Sequence, residues 1–341
     1  MRRYLLKRLL LVPVTLFAII ALNFCVVQFA PGGPVEALLA QPHLPPGGGL
    51  YRGGTGLDDA ARAQLAAQFG FDEKPLTRFG HMLRGYLSFN LGTSYFQGVP
   101  VTTLIRQRLP VSLALGLWST LLAYLIAIPL GVAKAARNGG RFDAATSALV
   151  LALYAVPGFL LAVLLILLFG QGGAWPLFPL RGLASPGAAA WPWPARFMDF
   201  AWHVVLPTAA LTAGGLATLT LLMKNAVLEE VGKLYVLAAR AKGLGERRVL
   251  LRHMLPNALL LNIATLPGAF TAILFGATLL VEIIFSVNGL GLLGYQAVLQ
   301  RDYPVMFGTL YIYTLAGLLA RIAGDMLLAW ADPRIDFEAR R

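Results

Sequence analysis

The sequence predicts an all-α integral membrane protein with six transmembrane helices and both termini on the cytoplasmic side. Three observations carry this reading. Of 341 residues, 57% are hydrophobic and only 13% charged, with a mean hydropathy of +0.69, whereas about a quarter of an ordinary soluble domain is charged. Six apolar runs, 9–29, 111–133, 144–169, 204–223, 259–285 and 305–330, approach or exceed the ~20 residues that cross a bilayer as a helix. Finally, 17 of the 28 Lys and Arg residues fall in segments that share a side with the N-terminus, which places that side in the cytoplasm. The runs are continuous rather than alternating, so they do not read as strands of an outer-membrane barrel.

Taken in order, residues 1–30 form a basic leader and the first span. Met1-Arg2-Arg3 and Lys7-Arg8 precede an apolar run of about 21 residues, longer than the apolar core of a secretion signal and without a small-residue cleavage site, so a retained span is expected. Residues 31–110 form an outside segment. It begins irregular and rich in Pro and Gly, then offers Asp58 as the N-cap of a helix reaching about Gln68. A second amphipathic helix from Leu76 to Leu87 should bury Phe79, Leu83 and Leu87, with Met82 and Tyr86 beside them. Residues 111–341 hold the other five spans. Leu109-Pro110 should open the second and Pro157-Gly158 should interrupt the third. Trp175, Trp191, Trp193 and Trp202 suit an interfacial aromatic belt. Arg321 and Asp325, one turn apart in the last span, can neutralise one another or line a cavity. Glu282 should sit at the outer interface.

Several chemistries are excluded. The net charge of +12 is accounted for by the basic cytoplasmic face, so no nucleic-acid partner is inferred. Cys25 is the one cysteine and the four histidines are scattered, so no metal cluster is visible. Gly289-Leu290-Gly291-Leu292-Leu293-Gly294 matches a dinucleotide fingerprint, but it follows a membrane span rather than a strand, and reads better as a flexible or re-entrant segment. No phosphate loop occurs, because Gly232-Lys233 is followed by Leu. The chain should bind no cofactor and hydrolyse no ATP.

The most informative stretch is the basic cytoplasmic loop 224–257. Ala238-Ala239 is followed by three residues and Gly243, then by nine residues and His253-Met254-Leu255-Pro256. A helix from Glu229 to Lys242 would carry acids at its start and Arg240 and Lys242 at its end, complementing its dipole. Gly243 would close it in the left-handed conformation. A second short helix, Glu246 to about Leu255, would leave at an angle. Such a knob fits a groove on another protein; the alternative is a basic helix lying on anionic lipid.

This spacing resembles the coupling loop of ABC-importer permeases, with the pattern E-A-A-x3-G-x9-I-x-L-P. Longer stretches are similar to the dipeptide/oligopeptide branch of that family, and within it to permeases associated with peptides and microcin C. They include Gln28-Phe29-Ala30-Pro31-Gly32-Gly33-Pro34, Leu177-Phe178-Pro179-Leu180-Arg181-Gly182, Phe285-Ser286-Val287-Asn288-Gly289-Leu290-Gly291, Arg301-Asp302-Tyr303-Pro304-Val305-Met306-Phe307-Gly308 and Asp332-Pro333-Arg334-Ile335-Asp336-Phe337. The resemblance implies a type I importer permease fold in the bacterial inner membrane, importing peptides from periplasm to cytoplasm. It implies ATPase subunits carrying ATP and Mg, a second homologous permease and a periplasmic peptide-binding protein. Coupling would fall to Ala238, Ala239, Arg240, Lys242, Gly243, Glu246, Leu255 and Pro256. Glu282, Asn288, Arg321 and Asp325 are candidates for the pathway or gate. The chain departs from the pattern at Leu237, at His253 and at Gly245, where a Ser cap is common. A permease for nickel or another small solute is the alternative within the family, and an ATP-independent secondary transporter the alternative outside it.

Overall fold

The computed structural model describes residues 2–29, 73–272 and 278–331. Its helices are α1 (Arg2–Phe29), α2 (Pro75–Leu87), α3 (Val101–Ala136), α4 (Arg141–Ala155), α5 (Gly158–Phe169), α6 (Trp193–Val231) and α7 (Leu234–Ala241). Then follow α8 (Glu246–Val249), a π turn (Leu250–Met254), α9 (Leu255–Ala272), α10 (Thr278–Ile284), α11 (Leu290–Gln300) and α12 (Tyr303–Ala331). The expected helix after Asp58 and the Asp332 motif lie outside the described residues.

Five helical stretches are long and apolar enough to cross a membrane: Leu6–Cys25, Val101–Ala136, Trp193–Val231, Glu246–Ala272 and Tyr303–Ala331. A sixth arises if α4 and α5 count as one span, bent by 101°. The expected interruption at Pro157 is thus a full break. Proline disfavours the helical region for the residue before it, and Val156 takes φ −84° and ψ 122°. Three spans begin ten or more residues earlier than expected, at Val101, Trp193 and Glu246. Pro110 does not open the second span but lies inside α3 with Pro129, because 101–109 is already helical. The 39 residues of α6 extend ~58 Å at 1.5 Å per residue, well beyond the ~30 Å hydrocarbon layer. In the fifth run, expected as a span over 259–285, the described residues on either side of 273–277 are helical, in α9 and α10.

The chain forms two compact units. One comprises Met1–Leu5, Pro110–Gly291 and Gly317–Arg341; the other comprises Leu6–Leu109 and Leu292–Ala316. In the first, α6 is the axis, and three apolar clusters follow along it. Leu206, Ala210 and Leu211 meet Leu115, Ala162 and Phe285. Leu216, Ala217 and Leu219 meet Ala123, Ala127 and Val150. Met223, Ala226 and Val227 meet Ala135, Val236 and Met254. Gly131 permits the close approach of α3 to α6: a Cβ there would lie 2.6 Å from Met223 Cβ and 2.8 Å from the Thr220 carbonyl oxygen. Trp175, Trp191, Trp193 and Trp202 are all exposed, as a lipid-interface belt requires.

In the second unit, α2 turns Phe79, Met82, Leu83 and Tyr86 inward, while Leu87 is exposed. The expected face is therefore rotated, since Tyr86 packs its ring 5.2 Å from that of Tyr311 and takes the place foreseen for Leu87. Phe79 meets Phe17 and Phe24 at 5.9 and 5.2 Å. Below them Asp302 is buried, accepting hydrogen bonds from Ser94 Oγ at 2.5 Å and the Tyr95 amide at 3.2 Å. Burial holds its carboxyl above the usual carboxylate range and pushes the Tyr95 phenol up to about 12.

Candidate coupling site

The cytoplasmic loop folds into a small module whose parts differ from the expected pair of helices. α6 continues through Glu229 and Glu230 to Val231, where Gly232 ends it. The short helix α7 starts only at Leu234 and has no acid in its first turn. Glu230 instead works as a tie. It is buried at the end of α6 and accepts hydrogen bonds from Lys233 Nζ and the Tyr235 hydroxyl. Asn257 Nδ2 at the start of α9 donates to that hydroxyl at 3.0 Å. The bond to Glu230 raises the Lys233 ammonium above the ordinary lysine range.

After α7 the chain reverses at Gly243, which takes φ +78°, the left-handed conformation that glycine reaches at no steric cost. Its amide bonds to the Arg240 carbonyl at 2.8 Å. Arg240 then clasps Glu246 across the reversal, with Nε and Nη2 donating at 2.8 and 3.0 Å to its two oxygens. Gly245 is the N-cap of α8 and provides no side-chain bond, as its departure from a Ser cap implied.

The second short helix does not stand apart. Glu246–Ala272 is continuous, with Leu255 and Pro256 inside it rather than at its end. Pro256 cannot donate to the carbonyl four residues back and its ring crowds that carbonyl. The wider π turn at Leu250–Met254 absorbs this without breaking the helix. The small-residue pair is split between two faces. Ala239 is buried with Val236, Val249 and Met254 against Ala135, Met223 and Val227. Ala238 is exposed, beside Leu234 at 83% and Leu237 at 50% exposure. Lys242, Arg247, Arg248 and Arg252, which follow α7 in the chain, are exposed as well.

A cluster that sequence reasoning missed lies at the same end of the unit. Lys134 of α3 is fully buried, 3.0 Å from Asp143 Oδ1. It also donates to the Asp143 carbonyl at 2.9 Å, Thr146 Oγ1 at 3.0 Å and Ser147 Oγ at 2.6 Å. Lys224 of α6 reaches Asp143 Oδ2 at 2.7 Å. In the sequence both lysines counted only as part of the basic face.

The pathway candidates do not come together as one constellation. Glu282 is fully buried, accepting from Ser112 Oγ at 2.8 Å. Ser112 Oγ in turn accepts from the Leu290 amide at 2.8 Å. The chain turns back at Ser286, φ +52°, and Gly289 covers the carboxylate so closely that a Cβ would strike it. The glycine-rich motif is therefore a packed turn and helix rather than a flexible one. Asn288 is exposed nearby. On α12 Arg321 is exposed and Asp325 half-buried.

Residues 127–337 match the family described as binding-protein-dependent transport system inner membrane component. The chain belongs to this family. It is 48% identical to the inner membrane ABC transporter permease protein YejB of Escherichia coli O157:H7, over 100% of both chains. It is 46% identical to the peptidoglycan transport system permease protein YejB of Agrobacterium fabrum, again over 100% of both. Against the dipeptide transport system permease protein DppB of Escherichia coli K12 it is 30% identical, covering 98% of this chain and 99% of that one. A chain of the inward-facing MetNI methionine ABC transporter shares the fold at a TM-score of 0.52 and 22% identity, covering 67% of this chain and 97% of its own length. The type I importer permease fold and the multi-pass inner-membrane setting are thereby established. So is the role: as a permease of this family the chain is a transport component, which works with an ATPase and a binding protein rather than as an enzyme.

Proposed function

We propose that this chain is the permease subunit through which an ATP-driven importer passes peptides from periplasm to cytoplasm. The full-length similarity to the two YejB proteins, with DppB and its dipeptide system behind them, supports peptides as the substrate class. ATP and Mg reside on the ATPase subunits, and a second homologous permease completes the passage. The outside segment 31–110 is the platform for the peptide-binding protein.

The observation that carries the coupling role is the exposed face of α7. Leu234, Leu237 and Ala238 form an exposed apolar strip, followed in the chain by the exposed Lys242, Arg247 and Arg248, on a helix whose other side is packed on the membrane spans through Val236 and Ala239. A short helix with one face anchored and the other bare, followed in the chain by basic residues, suits a groove with acidic edges on the ATPase. Gly243 and the Arg240–Glu246 clasp set its angle; Leu255 and Pro256 continue it into the fifth span. Glu282 and Asn288, on either side of the turn that follows α10, and Arg321 and Asp325, on the last span, are the candidates for the pathway or gate.

Mass spectrometry of what co-purifies with the chain from mild detergent tests this reading. Wild type should bring down an ATPase and a second permease in stoichiometric amounts. The Gly243→Pro variant, which cannot adopt positive φ, should lose the ATPase. Recovery of the chain alone in both forms would refute it.

A further inference from the structure

We propose that Lys134, Asp143 and Lys224 are positioning residues that force α4 to move with the coupling module. The inference rests on the importer reading above. The module grips α3, α6 and α9 through apolar contacts, namely Ala135, Met223, Ala226, Val227 and Ala258 around Val236 and Ala239. Among the described residues α4 contributes nothing to that cluster. Its cytoplasmic end is instead held by charge. Asp143, in the first turn of α4, bridges Lys134 on α3 and Lys224 on α6 at 3.0 and 2.7 Å. The Lys134 ammonium is further surrounded by the Asp143 carbonyl, Thr146 Oγ1 and Ser147 Oγ. The Gly139 amide at 3.0 Å completes the shell of Asp143 Oδ2.

Two features turn this cluster from glue into a linkage. Both lysines are sequence neighbours of residues in the apolar cluster, Lys134 of Ala135 and Lys224 of Met223, so displacement of the module reaches them directly. Four oxygens of α4 around one fully buried ammonium also fix both the rotation and the height of that helix. Apolar packing would hold α4 as firmly without fixing either, since buried ion pairs can be replaced by hydrophobic residues at little cost. At its other end α4 meets the 101° break at Val156-Pro157. It is therefore a lever of 15 residues clamped at the cytoplasmic end and hinged at the other.

The test uses the assembled importer in lipid nanodiscs and proteoliposomes, in a Cys25→Ser background, with spin labels at Ala145 on α4 and Glu229 on α6. Both positions are exposed. In the parent the label distance should stay single and unchanged between nucleotide-free and ATP-trapped states. In Lys224→Met, which leaves Lys134 and Asp143 as a neutral pair, the distance should broaden or shift with ATP. Peptide delivered per ATP should fall by about tenfold, within the range of known coupling changes, while ATPase recovery and basal hydrolysis persist. Asp143→Asn should do the same more strongly, and Asp143→Glu should restore both readouts. Unchanged distance and unchanged peptide per ATP in both charge-removing variants would overturn the proposal. So would an Asp143→Asn that fails to assemble beside a Lys224→Met that matches the parent on both readouts. Failure of the importer reading itself would show as a parent assembly without ATP-dependent uptake.

Discussion

Gly243 has open space around its α-carbon, so its demand is conformational and not steric. Alanine at φ +78° costs about 1–2 kcal/mol, enough to loosen the reversal without displacing a neighbour. Gly243→Ala should accordingly lower, but not abolish, ATPase recovery in the co-purification. Ser112 carries a different kind of load, since its hydroxyl serves the Glu282 carboxylate and the Leu290 amide at once. Ser112→Ala should destabilise the fold by about 1–3 kcal/mol, read as a lower midpoint of thermal unfolding in detergent; an unchanged midpoint would show that the two groups find other partners. Asp302 makes stability depend on pH. Its folded pKa is raised by burial, so the folded state binds its proton more tightly than the unfolded chain. The resulting stabilisation is full below the unfolded value of about 3.9 and is lost as pH rises through the folded value. Asp302→Asn, which can keep the contacts to Ser94 and Tyr95, should flatten that acid-side dependence and leave the neutral-pH midpoint equal or higher. At this scale Gly243 was legible, because glycine at a helix end followed by a second helical pattern has one common use. The Arg240–Glu246 clasp was not, because a separation of six brings side chains together only across a reversal of that geometry.

Among the elements, the spans announced themselves by unbroken apolar runs and the break at Pro157 by its dipeptide. Their limits were less legible: α3 and α6 continue through polar residues beyond the membrane, where hydropathy falls but helix propensity does not. The coupling helices were misread for the same reason, since Glu229 and Glu230 resemble a helical first turn yet belong to the last turn of α6. Lys134 and Lys224 could not be told from surface charges, because counting a basic face does not show which lysine the fold encloses. Helix packing offers its own prediction at Gly131, where a methyl group would meet Met223 and the Thr220 carbonyl. Gly131→Ala should force α3 from α6 at a cost of about 1–3 kcal/mol, lowering the thermal midpoint and the yield of folded protein in detergent. A neutral outcome would mean that these helices yield more easily than their contacts imply.

For the whole molecule, the sign and placement of charge oriented the chain, and the spacing from Ala238 to Pro256 pointed to coupling before any fold was known. Substrate is a property of the assembly, and no single residue of this chain announces it. The central claim is that this chain passes peptides when ATP is hydrolysed on its partners. The most direct measurement is uptake of a radiolabelled tripeptide into proteoliposomes containing the binding protein, both permeases and the ATPase. Uptake that requires ATP, accumulates peptide against its gradient and disappears when this chain is omitted is the predicted result. ATP-independent equilibration, or equal uptake without this chain, would contradict it.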